Sequence, residues 1–299
     1  MLLRLFELLA RLPLRVVHGL GAALGQLAYA LSPTYRRRLR ANLAQAGFDA
    51  DRLAWPATRE AGRQALESAW VWLRPAKDLR RVLQRVDGEI EDQAIASGRP
   101  VIYLTPHLGC FEICASHCIL HHWHAPRAFT ALYRIPKQAV LRELVEVGRT
   151  RLGGQLAPAN LGGVRGLLRT LKQGNAIGVL PDQVPSAGDG VWAPFFGRPA
   201  YTMTLPSRLA KATGAIVLLF FGERVPNLDG QGPGYRIHFA RPPEPLNGDA
   251  EHDAAVINRG LESLIRKVPA QYLWGYNRYK VPAGVAPPAV TIAAERAEC

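Results

Sequence analysis

The spacing of apolar positions divides the chain into a helical N-terminal third and a longer region where short apolar runs alternate with helical repeats. Met1 to Leu31 is apolar apart from Arg4, Glu7, Arg11, Arg15, His18 and Gln26. Leu2, Leu3, Phe6, Leu9, Leu12 and Leu14, interspersed with arginine, suit a tilted anchor or an interfacial helix. The uninterrupted part, Val16 to Leu31, falls short of the roughly 20 residues that a spanning helix needs. Tyr35-Arg36-Arg37-Arg38-Leu39-Arg40 follows directly, and each such charge attracts anionic headgroups by about 1 kcal/mol. From about Leu39 to Val86 the periodicity stays helical, with Ala65, Leu66, Ala69, Trp70 and Leu73 at three- and four-residue spacing.

Beyond this the pattern changes period repeatedly. Val101–Leu104 reads as a buried strand after Gly98-Arg99-Pro100, and Leu108 to His122 as a helix. Ala128 to Tyr133 predicts a strand and Lys137 to Leu152 a helix. Gly163 to Gln173 is a further helix, closed by Gly174, and Ala176 to Leu180 a short strand ending at Pro181-Asp182. Thr204 to Thr213 is helical, Ala215 to Phe221 and Tyr235 to Ala240 are strands, and Asp253 to Lys267 is helical. This alternation predicts an α/β fold, a central mixed sheet covered by helices, preceded by an N-terminal membrane-anchoring helix. The expected organisation is an anchor over 1–33, one catalytic domain over 34–282 and an Ala/Pro-rich disordered tail over 283–299. Reactive groups of such folds gather in loops beyond the strand ends.

Charge narrows the partners. Lys and Arg number 37 against 24 Asp and Glu, a formal net charge of +13, so the chain attracts anions. The positive charge is dispersed and no nucleic-acid-binding motif is present, so nucleic acid is not an expected partner. Cys110, Cys114 and Cys118 recur every four residues, which suits neither a disulfide framework nor zinc spacing; they read as small buried positions. His117, His121, His122 and His124 crowd one helix and its exit, but without a second paired arm they read as an exposed helix end, and no metal site is expected.

The candidate chemistry lies at Thr105-Pro106-His107-Leu108-Gly109-Cys110-Phe111-Glu112. A histidine can act as general base when a carboxylate fixes its tautomer. Five residues of ideal helix turn through about 500°, so His107 and Glu112 cannot share a helix face. Pro106 disfavours a helical Thr105 and leaves His107 in the loop before the helix. Alone, this spacing is common.

Further blocks give it specificity. They are Leu132-Tyr133-Arg134-Ile135-Pro136-Lys137, Arg149-Thr150-Arg151-Leu152-Gly153-Gly154, Leu180-Pro181-Asp182-Gln183, Val191 to Thr202, and Gln271-Tyr272-Leu273-Trp274 with Arg278. Together with the His107 block they resemble, in order and spacing over about residues 5 to 280, the late acyltransferases of lipid A biosynthesis, within the glycerolipid acyltransferase superfamily. Cys110-Phe111 stands where many members have Asn-Trp.

The resemblance implies an O-acyltransferase, without cofactor or metal, at the cytoplasmic face of a cell inner membrane. The implied donor is acyl carrier protein, and the implied acceptor is a hydroxyl on a phosphorylated glycolipid of the Kdo2-lipid IVA type. A lysophospholipid or ornithine lipid would be the alternative acceptor. His107 would deprotonate the hydroxyl and Glu112 would orient the imidazole. Arg134, Arg149 and Arg151 would bind phosphate or the developing oxyanion, and Asp182 would hold one of these arginines or position the acceptor. Gly197 and Thr202 read as turn and packing residues. No Gly-x-Ser-x-Gly is present, so a serine-hydrolase elbow is missing.

Overall fold

A computed structural model describes residues 2–136 and 138–288. In chain order the elements are α1 (Leu2–Arg11), α2 (Leu14–Leu31), α3 (Pro33–Gln45), α4 (Ala50–Leu73), α5 (Ala76–Arg81), β1 (Leu83–Val86), α6 (Gly88–Ala96), β2 (Val101–Leu104), α7 (Phe111–His121), β3 (Phe129–Tyr133), α8 (Ala139–Thr150), β4 (Gln155–Pro158), α9 (Leu161–Lys172), β5 (Ala176–Val179), β6 (Gly190–Phe195), β7 (Arg198–Met203), α10 (Leu205–Thr213), β8 (Ile216–Val225), β9 (Gly234–Ala240) and α11 (Ala250–Lys267). Seven strands form one mixed sheet in the order β1-β9-β8-β2-β5-β3-β4, while β6 and β7 make a separate antiparallel hairpin. Neighbours are parallel except β8 and β9.

Alternation along the central strands feeds two cores. Ile102 and Leu104 of β2, Ile177 and Val179 of β5, and Leu219 and Phe221 of β8 pack with Leu261, Leu264 and Ile265 of α11. Val101, Tyr103, Ala176, Leu218 and Phe220 face the other way, onto Ile113, Cys114 and Cys118 of α7 and Trp70 of α4. Cys110, Cys114 and Cys118 are buried free thiols, as their spacing predicts.

The N-terminal segment departs from expectation. In place of one anchor helix over 1–33 there are two, separated at Leu12-Pro13, and among the described residues no helix is long and apolar enough to cross a membrane. Pro13 is extended (φ −58°, ψ 141°) and precedes α2 as its N-cap. One face of α2 is built of small residues and lies against α4. A Cβ on Gly25 would stand 1.9 Å from the Thr58 carbonyl oxygen, and one on Gly62 equally close to that of Gly21. His18 Nε2 meets Glu67 Oε2 at 3.0 Å across this contact, and Glu67 also pairs with Arg224 of β8. The opposite face of α2 carries Val16, Leu20, Leu24, Leu27 and Leu31, 40–73% exposed.

Of the tail expected over 283–299, residues 289–299 lie outside the described residues. The described part runs beside the hairpin, where Trp192 Nε1 donates to the Ala286 carbonyl at 3.0 Å.

Candidate active site

Parallel pairing of β2 with β5 builds the site. Leu104 pairs with Val179. His107 lies three residues beyond Leu104, and Asp182 three beyond Val179, so the register delivers both to the same end of the sheet. The Asp182 carboxylate accepts from the His107 backbone N–H at 2.9 Å through Oδ2 and meets Nδ1 at 2.8 Å through Oδ1. Nε2 of the ring faces Gln183 Nε2 at 3.2 Å and lies over Phe111, ring centroids 5.0 Å apart. An amide N–H donating to Nε2 there and a carboxylate accepting from Nδ1–H together select one tautomer, protonated at Nδ1 with a lone pair on Nε2.

The loop carrying His107 is pinned from both sides. The Leu273 N–H donates to the His107 carbonyl at 3.1 Å, Gly109 N–H to Gln271 O at 3.0 Å, and Cys110 N–H to Gly222 O at 2.8 Å. Gly109 is in the left-handed region (φ 59°), and a Cβ there would stand 2.0 Å from Gly222 O. Only glycine combines that conformation with that approach. Gln64 of α4 adds a hydrogen bond to the Gly109 carbonyl at 3.0 Å.

Asp182 is buried. Burial alone would raise its pKa, but the His107 imidazole, its hydrogen bonds and then Arg278 outweigh this and hold it below the ordinary 3.8. Arg278 is also buried, with its two terminal nitrogens donating to Tyr201 O and Thr202 Oγ1, each at 2.7 Å. Thr202 is therefore a packing residue as expected, and Gly197 (φ 76°) turns the hairpin.

Glu112 has other partners than the one the sequence assigned it. It starts α7, where one oxygen accepts from Trp72 Nε1 at 2.9 Å and Arg149 Nε at 3.0 Å, and the other from the Arg149 terminal nitrogen at 2.5 Å. The carboxylate orienting His107 is Asp182. The helical turn between positions 107 and 112 sends Glu112 to α8 and α4, and Asp182 holds the histidine rather than an arginine. Arg134 is exposed and lines the cleft with His107 and Arg149. Arg151 does not line it; its guanidinium donates to the Trp72 carbonyl at 2.8 Å and to that of Arg74, satisfying carbonyls at the end of α4. Trp72, which donates to Glu112, and Gln64, which donates to the Gly109 carbonyl, complete the setting without any site role expected from sequence. Nothing in their spacing marks them, since each is brought in by tertiary packing.

The cleft in front of His107 measures about 250 Å³. A narrow slot of about 40 Å³ adjoins it, sharing Phe111, Leu132, Arg149 and Leu180 and continuing between the sheet and α7 past Ala115, Ile119 and Phe129. A larger open cavity, about 540 Å³, lies at the opposite end of β2 and β8, lined by Arg99, Lys211 and Arg241, away from the histidine. The site can thus take a proton at Nε2 beside an apolar slot under cationic side chains.

Comparison with known proteins supplies the context. The family described as bacterial lipid A biosynthesis acyltransferase matches residues 2–281. A lipid A biosynthesis acyltransferase of Haemophilus influenzae is 29% identical over 204 residues, 68% of this chain and 60% of that protein. The chain therefore spans less than two thirds of that relative in the alignment. The lipid A biosynthesis lauroyltransferase of Escherichia coli K12 is 25% identical over 287 residues, 93% of this chain and 90% of that protein. The palmitoleoyltransferase of the same strain is 26% identical over 284 residues, 92% and 88% respectively.

Proposed function

The chain belongs to the bacterial lipid A biosynthesis acyltransferases and is an O-acyltransferase, and from that premise we propose that it moves a fatty acyl chain from an acyl carrier protein thioester to a hydroxyl of a phosphorylated lipid A precursor of the Kdo2-lipid IVA type. His107 is the general base. Its Nε2 takes the proton of the acceptor hydroxyl as that oxygen attacks the thioester carbonyl carbon. The tetrahedral oxyanion collapses, the C–S bond breaks, and the departing thiolate takes the proton back from the imidazolium. Asp182 holds Nδ1–H and offsets the positive charge on the ring in between.

The observation that carries this reading is the Asp182–His107 pair at the mouth of a cleft that runs into an apolar slot. The acyl chain would lie in the cleft with its end directed into the slot, which must widen to admit it. Arg134 supports phosphate binding in the cleft, and the first-turn amides of α7 are suited to the oxyanion. Arg149 serves a different end, pairing with Glu112 to fix α7 against α8 beside the base.

The same proposal covers location. The exposed leucine face of α2, followed by exposed Arg36, Arg37 and Arg38, suits a helix lying on an anionic lipid leaflet. The basic cluster favours the cytoplasmic face of the inner membrane. Residues 34–282 then form the catalytic domain, with α1 and α2 as its lipid-facing layer.

Transfer of label from acyl carrier protein to the tetra-acylated precursor tests the reading, run beside a panel of lysophospholipid and ornithine-lipid acceptors. His107→Ala should abolish transfer. Retained activity in that variant removes His107 as base, and transfer confined to another acceptor overturns the lipid A assignment.

A further inference from the structure

The end of α7 remote from the cleft carries a second polar cluster that the acyl transfer does not use. His117, on the last turns of α7, and His122, just beyond it, converge on Glu91 of α6. His117 Nε2 lies 2.9 Å and His122 Nε2 3.5 Å from the same oxygen, Glu91 Oε2. The three ligand-type atoms all fall within 4.8 Å of one another, and among the described residues this is the one such group of three. Glu91 and His117 are fully buried. His122 Nε2 is buried and has no hydrogen-bond partner. Glu91 is itself oriented from behind, its Oε1 accepting from Tyr103 at 2.8 Å and the Tyr103 oxygen accepting from Trp123 Nε1 at 3.0 Å.

We propose that Glu91, His117 and His122 form a binding site for a divalent transition-metal cation of the zinc class, which ties the far end of α7 to α6. An ion-pair network explains the His117–Glu91 contact but leaves the buried His122 nitrogen without a hydrogen bond, only loosely paired at 3.5 Å from Glu91 and 3.8 Å from Asp92, a costly state for a polar atom. One carboxylate oxygen and two imidazole nitrogens form the borderline donor set that such cations prefer. Metal–ligand bonds of about 2.0–2.2 Å at tetrahedral angles separate ligand atoms by roughly 3.3–3.6 Å. The observed 3.5 Å falls within that range and the 2.9 Å a few tenths of an ångström below it. A solvent molecule completes the shell, since Asp92 Oδ1 is held by Arg85 at 2.7 Å. The Tyr103–Trp123 chain is the outer set of hydrogen bonds that holds a ligating carboxylate in place. Sequence spacing concealed the site because its second arm, Glu91, comes from a different helix.

Arg85 is the competing cation. Its terminal nitrogen lies 3.3 Å from Glu91 Oε2 and 2.7 Å from Asp92 Oδ1, and donates to Gly88 O at 2.6 Å. It keeps the last two partners when the metal takes Glu91, and it weakens metal affinity by its charge.

The full-length protein, stripped with chelator, is titrated with zinc chloride by calorimetry and with cobalt(II) by visible absorption. The expected result is one zinc per chain, a tetrahedral cobalt spectrum, and a higher Tm in zinc. His122→Ala should weaken binding at least tenfold and lose the Tm increment, Arg85→Gln should bind more tightly than the parent, and His107→Ala should bind as the parent does. Absence of saturable 1:1 binding overturns the site, as does unchanged affinity in His122→Ala. Should His122→Ala fold poorly, zinc X-ray absorption of the parent decides: two imidazole ligands support the site and a shell without histidine refutes it.

Discussion

Replacing Asp182 with asparagine separates the residue that holds His107 from the residue that merely lies near it in sequence. Asp182 accepts twice from His107, at the backbone N–H and at Nδ1. An asparagine has one acceptor oxygen. If that oxygen keeps the backbone N–H, the amide NH2 faces Nδ1 and favours the tautomer whose proton sits on Nε2, where the base must be empty. In a catalytic triad this exchange lowers kcat by about 10⁴-fold. Here it should lower kcat by about 10³–10⁴-fold, or about 4–5.5 kcal/mol at about 1.4 kcal/mol per tenfold. KM should change little, because the carboxylate is buried behind the ring. Glu112→Gln is the contrast. It leaves Trp72 a partner and weakens the Arg149 pair, so it should lower stability by about 1–3 kcal/mol and kcat by less than about 30-fold. Steady-state transfer kinetics on both folded variants, with circular dichroism as control, decide the matter. An Asp182→Asn enzyme within tenfold of the parent, or a folded Glu112→Gln enzyme more impaired than it, would refute this assignment.

Other outcomes follow from the same contacts. Gly109→Ala should lose most activity and at least about 1–3 kcal/mol of stability, since its Cβ would meet Gly222 O in a left-handed backbone; a fully active, equally stable variant contradicts the loop geometry. Gly25→Leu should force α2 off α4 and lower Tm, whereas Leu24→Ser on the exposed face should leave Tm unchanged and reduce partitioning onto anionic vesicles. Burial raises the Glu67 carboxyl, but Arg224 and then His18 outweigh it and hold it below the ordinary 4.5, as Asp182 is held below 3.8. Such carboxylates stabilise the fold above their unfolded pKa and lose that contribution as pH falls through the folded value. Urea unfolding should therefore show stability falling below pH 4.5, with a shallower fall in Glu67→Gln; an equal slope in both proteins counts against the buried pair.

How legible the fold was depended on where each strand sits. β2 and β5 are interior strands buried on both faces, so each is an uninterrupted apolar run bounded by Gly, Pro or Asn, and the sequence marks them well. β1 and β4 are the two sheet edges, Leu-Gln-Arg-Val and Gln-Leu-Ala-Pro, half exposed and without apolar periodicity; neither was predicted. The β6–β7 hairpin pairs Pro194 with Pro199 outside the main sheet, which obscures any strand signature. His107 was readable from its strand-to-helix setting, and Asp182 was named with a different duty. The pairing of the two depends on β2 lying beside β5, a neighbourhood that one sequence does not display. The family resemblance assigns Glu112 to orient His107, whereas in the structure its carboxylate accepts from Arg149 and Trp72.

The equal three-residue offset of His107 and Asp182 beyond paired strands makes their hydrogen-bonded pair a product of sheet register. Seventy-five residues separate the two in the chain. The intervening segment contributes α7, β3, α8, β4, α9 and β5 itself, and most of the walls of the apolar slot. Lengthening a connection there, or exchanging Ala115 or Ile119, reshapes the slot while leaving the His107–Asp182 geometry fixed by backbone pairing. If the proposed function holds, selectivity for chain length and competence for catalysis are inherited separately, and the first can diversify without first dismantling the second.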